Sequence, residues 1–324
     1  MRFSSPRLRI RSATVIFLLL ASLPAAALVT IDRPWAPLAL IPAVLGVRGI
    51  IVSGALMRLS YIGTGFSDPI LVTEAARDRV LSGLSPYGVG YPESTIPGAS
   101  FPYGPLMLVD SIPLEVAASI AILVLLARRP VTLAVYAGMP FAISLASSGN
   151  NDHLPTLFLA AGLLSLPRWW GGLLIGVSVA VKPYTAVFIP AALGSGSMGA
   201  LAAAIAAALV GWLPALWWGG LAESMAILNA QQGSSPLRFL AIPFALGAFR
   251  HGVPAACVAF AFLTMTSDWW SWGYLIPLGV AAGIALERPR LDSPKVATSS
   301  VGAADRSGAG GVDEPVRAGE TTPP

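Results

Sequence analysis

The segment GFSDPILVTEAARDRVLSGLSPYG (65–88) gathers Asp68, Glu74, Arg77, Asp78 and Arg79 in a chain that is only 11% charged. Asp68 directly precedes a helical pattern, where a carboxylate serves as an N-cap for the first free N–H groups. A second polar stretch, ASSGNNDHLP (146–155), offers Asn150, Asn151, Asp152 and His153 at a helix start; these side chains either bind something or form an ordinary capped turn. In VSVAVKPYTAVFIP (177–190), Lys182 lies deep inside an apolar run, where a charge costs about 2.5–3.5 kcal/mol. The following Pro183 removes a backbone N–H and favours a broken helix. A cation at such a break suits an anionic group. LNAQQGSSPLRF (228–239) adds amides, hydroxyls and Arg238, and TMTSDWWSWGYLIP (264–277) sets Trp269, Trp270, Trp272 and Tyr274 beside Asp268. Those aromatics fit an interfacial belt and equally the stacking of sugar rings.

The elements that must position these residues are membrane helices. Of 324 residues, 55% are hydrophobic, and the mean hydropathy is +0.72. About ten apolar segments, within a range of roughly nine to eleven, match a span of about 20 residues. They lie near 13–31, 35–57, 104–127, 131–147, 153–167, 170–193, 198–219, 237–250, 252–266 and 271–286. The expected fold is therefore an all-α polytopic membrane protein, with the basic N-terminus read as an uncleaved first helix. Residues 1–286 form the membrane domain, and the Gly, Ala, Ser and Pro-rich segment 287–324 is expected to be a disordered cytoplasmic tail. The net charge of +4 is small and scattered, which argues against nucleic acid as a partner. One cysteine, Cys257, and two histidines argue against a disulfide framework and against a Cys- or His-based metal site.

Arg128, Arg129, Arg168, Arg250, Arg288 and Arg290 mark one set of loops as cytoplasmic. The loops at 58–103, 148–153, 219–236 and 266–271 then face outward, and the last three contain no Lys or Arg. The four N-terminal arginines conflict with this order by one crossing; segment 35–57, with Pro37, Pro42 and Arg48, is the weaker span. The first outward loop is about 45 residues long, which suggests function rather than connection. Within it, 69–83 sets Ile70, Val72 or Thr73, Ala76, Val80 and Leu81 near helical spacing. That pattern predicts an amphipathic helix on the membrane surface, started near Pro69 and stopped by Gly83.

The run Asp68-x5-Glu-Ala-Ala, then GLSPYG, then FPYGPLML resembles the first outward loop of the GT-C glycosyltransferases that use a polyprenyl-phosphate sugar. The family includes the first mannosyltransferase of glycosylphosphatidylinositol assembly and bacterial polyprenyl-phosphate-mannose-dependent mannosyltransferases. SSGNND, GVSVAVKPY and WWSWGYLIPL follow in the same order, so the resemblance covers roughly residues 60–286. It implies a plasma-membrane hexosyltransferase, its active site outward, moving mannose to a lipid or glycan acceptor in envelope biogenesis. The donor is itself a membrane lipid, and no further cofactor is implied. Asp68 then becomes the general base and the transfer inverting. Lys182, Arg77, Arg79 and Arg238 are the implied phosphate-binding cations. Glu74, Tyr87, Tyr103, Asn150, Asn151, Asp152, His153, Tyr184, Gln231, Trp269, Trp270 and Trp272 are the implied sugar and acceptor contacts. The family often carries a second acid two residues before the first; here that position is Phe66. The Ala, Gly, Arg and Pro bias points to a GC-rich bacterial genome. Two other classes compete: a transporter or flippase for lipid-linked sugars, favoured by broken helices and intramembrane charge, and an inactive assembly subunit, favoured by Phe66.

Overall fold

The computed structural model describes residues 6–94, 97–232, 236–266 and 271–287. Trp269, Trp270, Asp268, Arg288, Arg290 and the expected tail beyond Glu287 lie outside them. The described chain is mostly helical. In order it forms α1 (Pro6–Thr30), α2 (Val47–Ser60), α3 (Asp68–Leu81), α4 (Ile112–Leu125), α5 (Pro130–Gly138), α6 (Pro140–Ser148) and α7 (His153–Ser165). It continues through α8 (Trp169–Val181), α9 (Ile189–Gly194), α10 (Met198–Trp218), α11 (Leu221–Gln232), α12 (Ala241–His251), α13 (Val253–Met265) and α14 (Leu275–Leu286). A two-stranded antiparallel ribbon pairs β1 (Gly90–Tyr91) with β2 (Ala99–Ser100).

Two helices are long and apolar enough to cross a membrane, Arg9–Thr30 and Met198–Trp218. Each rises about 30 Å, the thickness of a hydrocarbon core. The pair α5 and α6 would make a third such span, bent by 60°. On α1, Val15, Leu19 and Leu23 are exposed, and on α10 so are Leu209, Val210, Leu213, Leu216 and Trp217. Contiguous apolar surface of this kind belongs against lipid or a partner rather than water.

Most other apolar segments are interrupted, and the prolines explain where. Proline lacks an N–H and pushes the residue before it out of helical geometry. Segment 35–57 is not one helix: Ala36–Leu45 is a 3-10 helix, Gly46 breaks it, and α2 follows. Segment 104–127 opens with a 3-10 turn at Pro105–Val109 before Ser111 caps α4. Segment 131–147 bends at Pro140. Segment 170–193 is cut after Val181, with Lys182 extended (φ −136°, ψ 119°) ahead of Pro183. The break expected from the lysine–proline pair is thus present.

The expected surface helix forms as α3, with Ile70, Val72, Thr73 and Ala76 buried. Gly83, at φ 77°, follows its end. Leu81, expected on the apolar face, is instead exposed. Glu287, expected in the tail, caps a neighbouring helix: its carboxylate accepts from Val131 N at 3.2 Å, Thr132 N at 2.9 Å and Thr132 Oγ1 at 2.5 Å.

Helices α8 and α10 meet along small residues. A Cβ on Gly172 or Gly176 would fall 1.8 or 2.2 Å from the carbonyl oxygens of Ala200 and Ala204, and one on Gly211 2.2 Å from the Ala180 Cβ. Small residues of this kind let apolar helices approach backbone to backbone.

The buried arginine is Arg58 rather than Arg48, which is exposed. Pro140 has no N–H for the carbonyl of Tyr136 four residues earlier. Arg58 supplies the missing donors: Nη2 to Tyr136 O at 3.1 Å, Nη1 to Ala137 O at 3.3 Å and Gly54 O at 3.0 Å, and Nε to Ser119 Oγ at 2.5 Å. Its guanidinium also stacks 4.8 Å from the centre of the Tyr136 ring. Arg58→Lys keeps the charge but not the fork. Each buried carbonyl left unpaired costs about 1–3 kcal/mol, so this variant is expected to lose about 2 kcal/mol of stability. Thermal unfolding of the detergent-solubilised protein checks this; a wild-type Tm would refute the role of the fork.

Candidate functional site

One cavity of about 730 Å³ collects the sequence motifs. Asp68 reaches it from α3, Tyr103 from the segment after β2, and Asn150 and Asp152 from the turn between α6 and α7. Lys182 and Tyr184 enter from the break after α8, and Ser271 and Tyr274 from the turn before α14. Phe66, Pro69, Val72, Met225 and Leu228 make the apolar wall. Residues of the three loops 58–103, 148–153 and 219–236, and of Ser271 in the fourth, therefore converge on one space.

The break places Lys182. Its extended backbone turns the side chain out of the helix line, and Nζ meets Asp152 Oδ1 at 2.6 Å, both residues being almost fully buried. Tyr184 donates its hydroxyl to the same oxygen at 2.6 Å, and Asn150 Nδ2 donates to Oδ2 at 2.5 Å. The rings of Tyr103 and Tyr184 lie 5.2 and 5.4 Å from Nζ, where their faces attract the ammonium. Gly273 admits the carboxylate: a Cβ there would fall 1.9 Å from Asp152 Oδ2. An ammonium has three N–H donors, and only one is used on a carboxylate, so two can turn to an oxyanion in the cavity.

Asp68 is not the N-cap of α3. Ser67 holds that position, and Asp68 is the first helical residue, its carboxylate lining the cavity. Tyr103 stands among acids. Burial raises its hydroxyl above the ordinary tyrosine range; a hydrogen bond with Asn151 offsets part of the rise, and the nearby Asp152, Asp68 and Asp110 carboxylates add to it. It therefore stays protonated and can donate. Tyr87 supports it from behind, donating to the Tyr103 carbonyl at 3.0 Å while packing 5.7 Å from the Phe101 ring. Asn151 adopts φ 51° and is fully buried, its side-chain amide set against the Tyr103 hydroxyl. A left-handed backbone at a fully buried asparagine, next to a cavity tyrosine, points to a site rather than a packing detail.

Several expected residues lie elsewhere. Arg77 is tied to the backbone, donating from Nε to Leu108 O at 2.7 Å and from Nη2 to Asp110 O. Arg79 Nε holds Ser85 O at 3.0 Å. These arginines fasten α3 and its following loop rather than lining the cavity. Arg238 stacks on its neighbour Phe239 at 5.6 Å, and Glu74 is exposed; neither lines the cavity. Gln231 and Trp272 are also outside its lining, Trp272 packing 5.9 Å from Phe141. His153 faces away, toward Glu115 and the Ala142 carbonyl. Sequence reading missed Glu115 and Asp110, both fully buried. Their signal was present: two ionisable residues inside the apolar segment 104–127. Among the described residues no three His, Cys, Asp or Glu side chains group as metal ligands.

No protein-family model matches the chain, and neither a curated protein nor a solved structure is significantly similar to it.

Removing one member of a buried ion pair strands the other, at a cost of about 3–5 kcal/mol. Lys182→Met is therefore expected to destabilise the protein by about that much, while Lys182→Met with Asp152→Asn recovers at least half. Thermal unfolding of the four proteins in the cycle measures the coupling. Additive losses would mean that the two side chains do not depend on each other.

Proposed function

We propose that this chain is a polytopic membrane glycosyltransferase of the GT-C kind, moving a hexose, mannose foremost, from a polyprenyl-phosphate to a lipid or glycan acceptor. The observation that carries the reading is the cavity in which a carboxylate, Asp68, and a fixed cation, Lys182, share one space with an apolar wall. That combination meets the needs of the reaction. The acceptor hydroxyl gives its proton to Asp68 as its oxygen attacks the anomeric carbon. The bond from that carbon to the phosphate oxygen breaks, and the electron pair leaves with the phosphate. Lys182, held by Asp152 and Tyr184, stabilises the departing oxyanion. One displacement inverts the anomeric centre. Tyr103, Tyr184, Asn150 and Tyr274 offer hydrogen bonds and ring faces to the sugar, and Phe66, Met225 and Leu228 suit the first units of a prenyl tail. Asp152 provides the cavity with the second acid that Phe66 does not.

The apolar helices form a multi-pass bundle in the plasma membrane, with the cavity at the outer face. The loops without Lys or Arg meet at the cavity, which agrees with the charge rule for outward loops. A flippase or transporter for lipid-linked sugars is the second reading, favoured by the two helices broken at Lys182 and Pro140.

The decisive assay supplies membranes of a deletion strain, carrying wild type or Asp68→Asn, with labelled polyprenyl-phosphate mannose, and follows the missing glycolipid or glycan. Loss of a general base costs about 10²–10⁴-fold in rate, so Asp68→Asn is expected to fall by at least about 10²-fold. Full transfer by Asp68→Asn would remove the base, and a missing glycan restored equally by both would favour the flippase. Sidedness has its own check. Ser82 is exposed after α3, and Ser82→Cys with Cys257→Ala is expected to react with an impermeant thiol reagent in intact cells. Reaction only in inverted vesicles would place the cavity on the cytoplasmic side.

A further inference from the structure

Asp152 holds the N-cap position of α7, where an aspartate ordinarily turns its carboxylate back onto the first N–H groups. Here its side chain makes no such bond. His153 N and Leu154 N donate instead to Glu115, at 2.9 and 2.8 Å. The next residue, Pro155, has no N–H to offer. The first N–H groups of α7 thus leave no donor for the cap residue's carboxylate, while the Asp152 carbonyl accepts from Thr156. Glu115 comes from α4 and is completely buried, as is His153. Its Oε2 also meets His153 Nδ1 at 3.1 Å, while His153 Nε2 faces the Ala142 carbonyl of α6 at 3.0 Å. A carbonyl can only accept, so Nε2 carries hydrogen, and Nδ1 is the ring nitrogen that faces Glu115 Oε2.

We propose that Glu115 is a positioning residue for the cavity: by capping α7 from a neighbouring helix, it releases the Asp152 carboxylate to hold Lys182 and Tyr184. His153 fixes Glu115 between α4 and α6. Without Glu115, the Leu154 N–H falls to the ordinary N-cap acceptor, the Asp152 carboxylate, which would rotate back to the helix and leave Lys182. The proposal concerns the ion pair and does not require the reaction assigned above; only its activity readout rests on that reading.

The test uses the full-length protein in detergent and a water-soluble carbodiimide, which joins a carboxylate and an amine in direct contact as an amide. Asp152 and Lys182 both line the cavity and touch, so wild type is expected to yield the linked peptides by mass spectrometry. Asp152→Ala yields none. Glu115→Ala is expected to lower the link at least tenfold, and Glu115→Gln, which keeps an acceptor oxygen at the cap, to retain most of it. Because Asp152 takes over the cap in Glu115→Ala, the double variant Glu115→Ala/Asp152→Ala should lose more in Tm than the two single shifts together. A link undiminished in Glu115→Ala overturns the proposal, and so do additive Tm shifts, which mark a purely structural carboxylate. If Glu115→Ala does not fold, Glu115→Asp takes its place: its shorter side chain cannot serve both N–H groups, and an undiminished link there overturns the proposal equally. In the transfer assay, Glu115→Ala falls by the same factor as Asp152→Ala, and the double variant falls no further. An intact link pattern with no transfer by any protein rejects the reaction and leaves the cap assignment standing.

Discussion

A helix interrupted in apolar surroundings exposes backbone groups that water cannot reach, and this constraint organises the molecule. Each such group must find a partner within the protein. Charged side chains, buried or half-buried, sit at these interruptions. Arg58 serves the carbonyls freed by Pro140, Glu115 the first N–H groups of α7, and Glu287 those of α5. Lys182 is itself the residue before a proline, its extended backbone a direct result of that bond. The interruptions that shorten the helices are therefore also the places where charge is tolerated. Function and fold share one device: a break admits a polar group, and the polar group repairs the break.

The cavity inherits its electrostatics from this arrangement. Two carboxylates, Asp68 and Asp152, and one ammonium line it. Asp152 compensates Lys182 at contact distance in a largely apolar wall. Among the described residues Nζ engages a single carboxylate oxygen, so in the proposed reaction a phosphate would reach its two remaining N–H donors while keeping clear of Asp68. That charge count suits the proposed donor, which has one anionic end and one neutral, hydroxyl-bearing end, better than a plain inorganic anion.

Much of this was legible in the sequence, for identifiable reasons. The lysine–proline pair at 182–183 predicts a break because both effects are local to two residues. The helix from Asp68 with its stop at Gly83 was legible for the same reason, since turn and cap chemistry depend on near neighbours. The polar turn at 150–152 stood out against apolar flanks. What could not be read was pairing across the fold. Nothing near Glu115 in the chain says that it caps a helix 38 residues later, and nothing near His153 says that its ring turns inward. The arginines of α3 looked like phosphate ligands because their charge is visible in sequence, whereas the carbonyls that occupy them are not. Arg58 was hidden by its position at the end of an apolar run, where a snorkelling side chain is the ordinary expectation.

The small-residue seam between α8 and α10 has a mechanical consequence. Gly172, Gly176 and Ala180 recur every four residues on α8, and each lies against the α10 backbone or Gly211 with no slack. The helix carrying Lys182 is thereby clamped along its length, up to two residues short of the cation. Interiors packed this closely switch between discrete arrangements rather than deforming smoothly. The cation is a fixed post, not a swinging arm. The opposite wall is held differently: α11 meets the β-ribbon through a hydroxyl bridge, Ser100 Oγ donating to the Ser224 carbonyl, rather than through a small-residue seam.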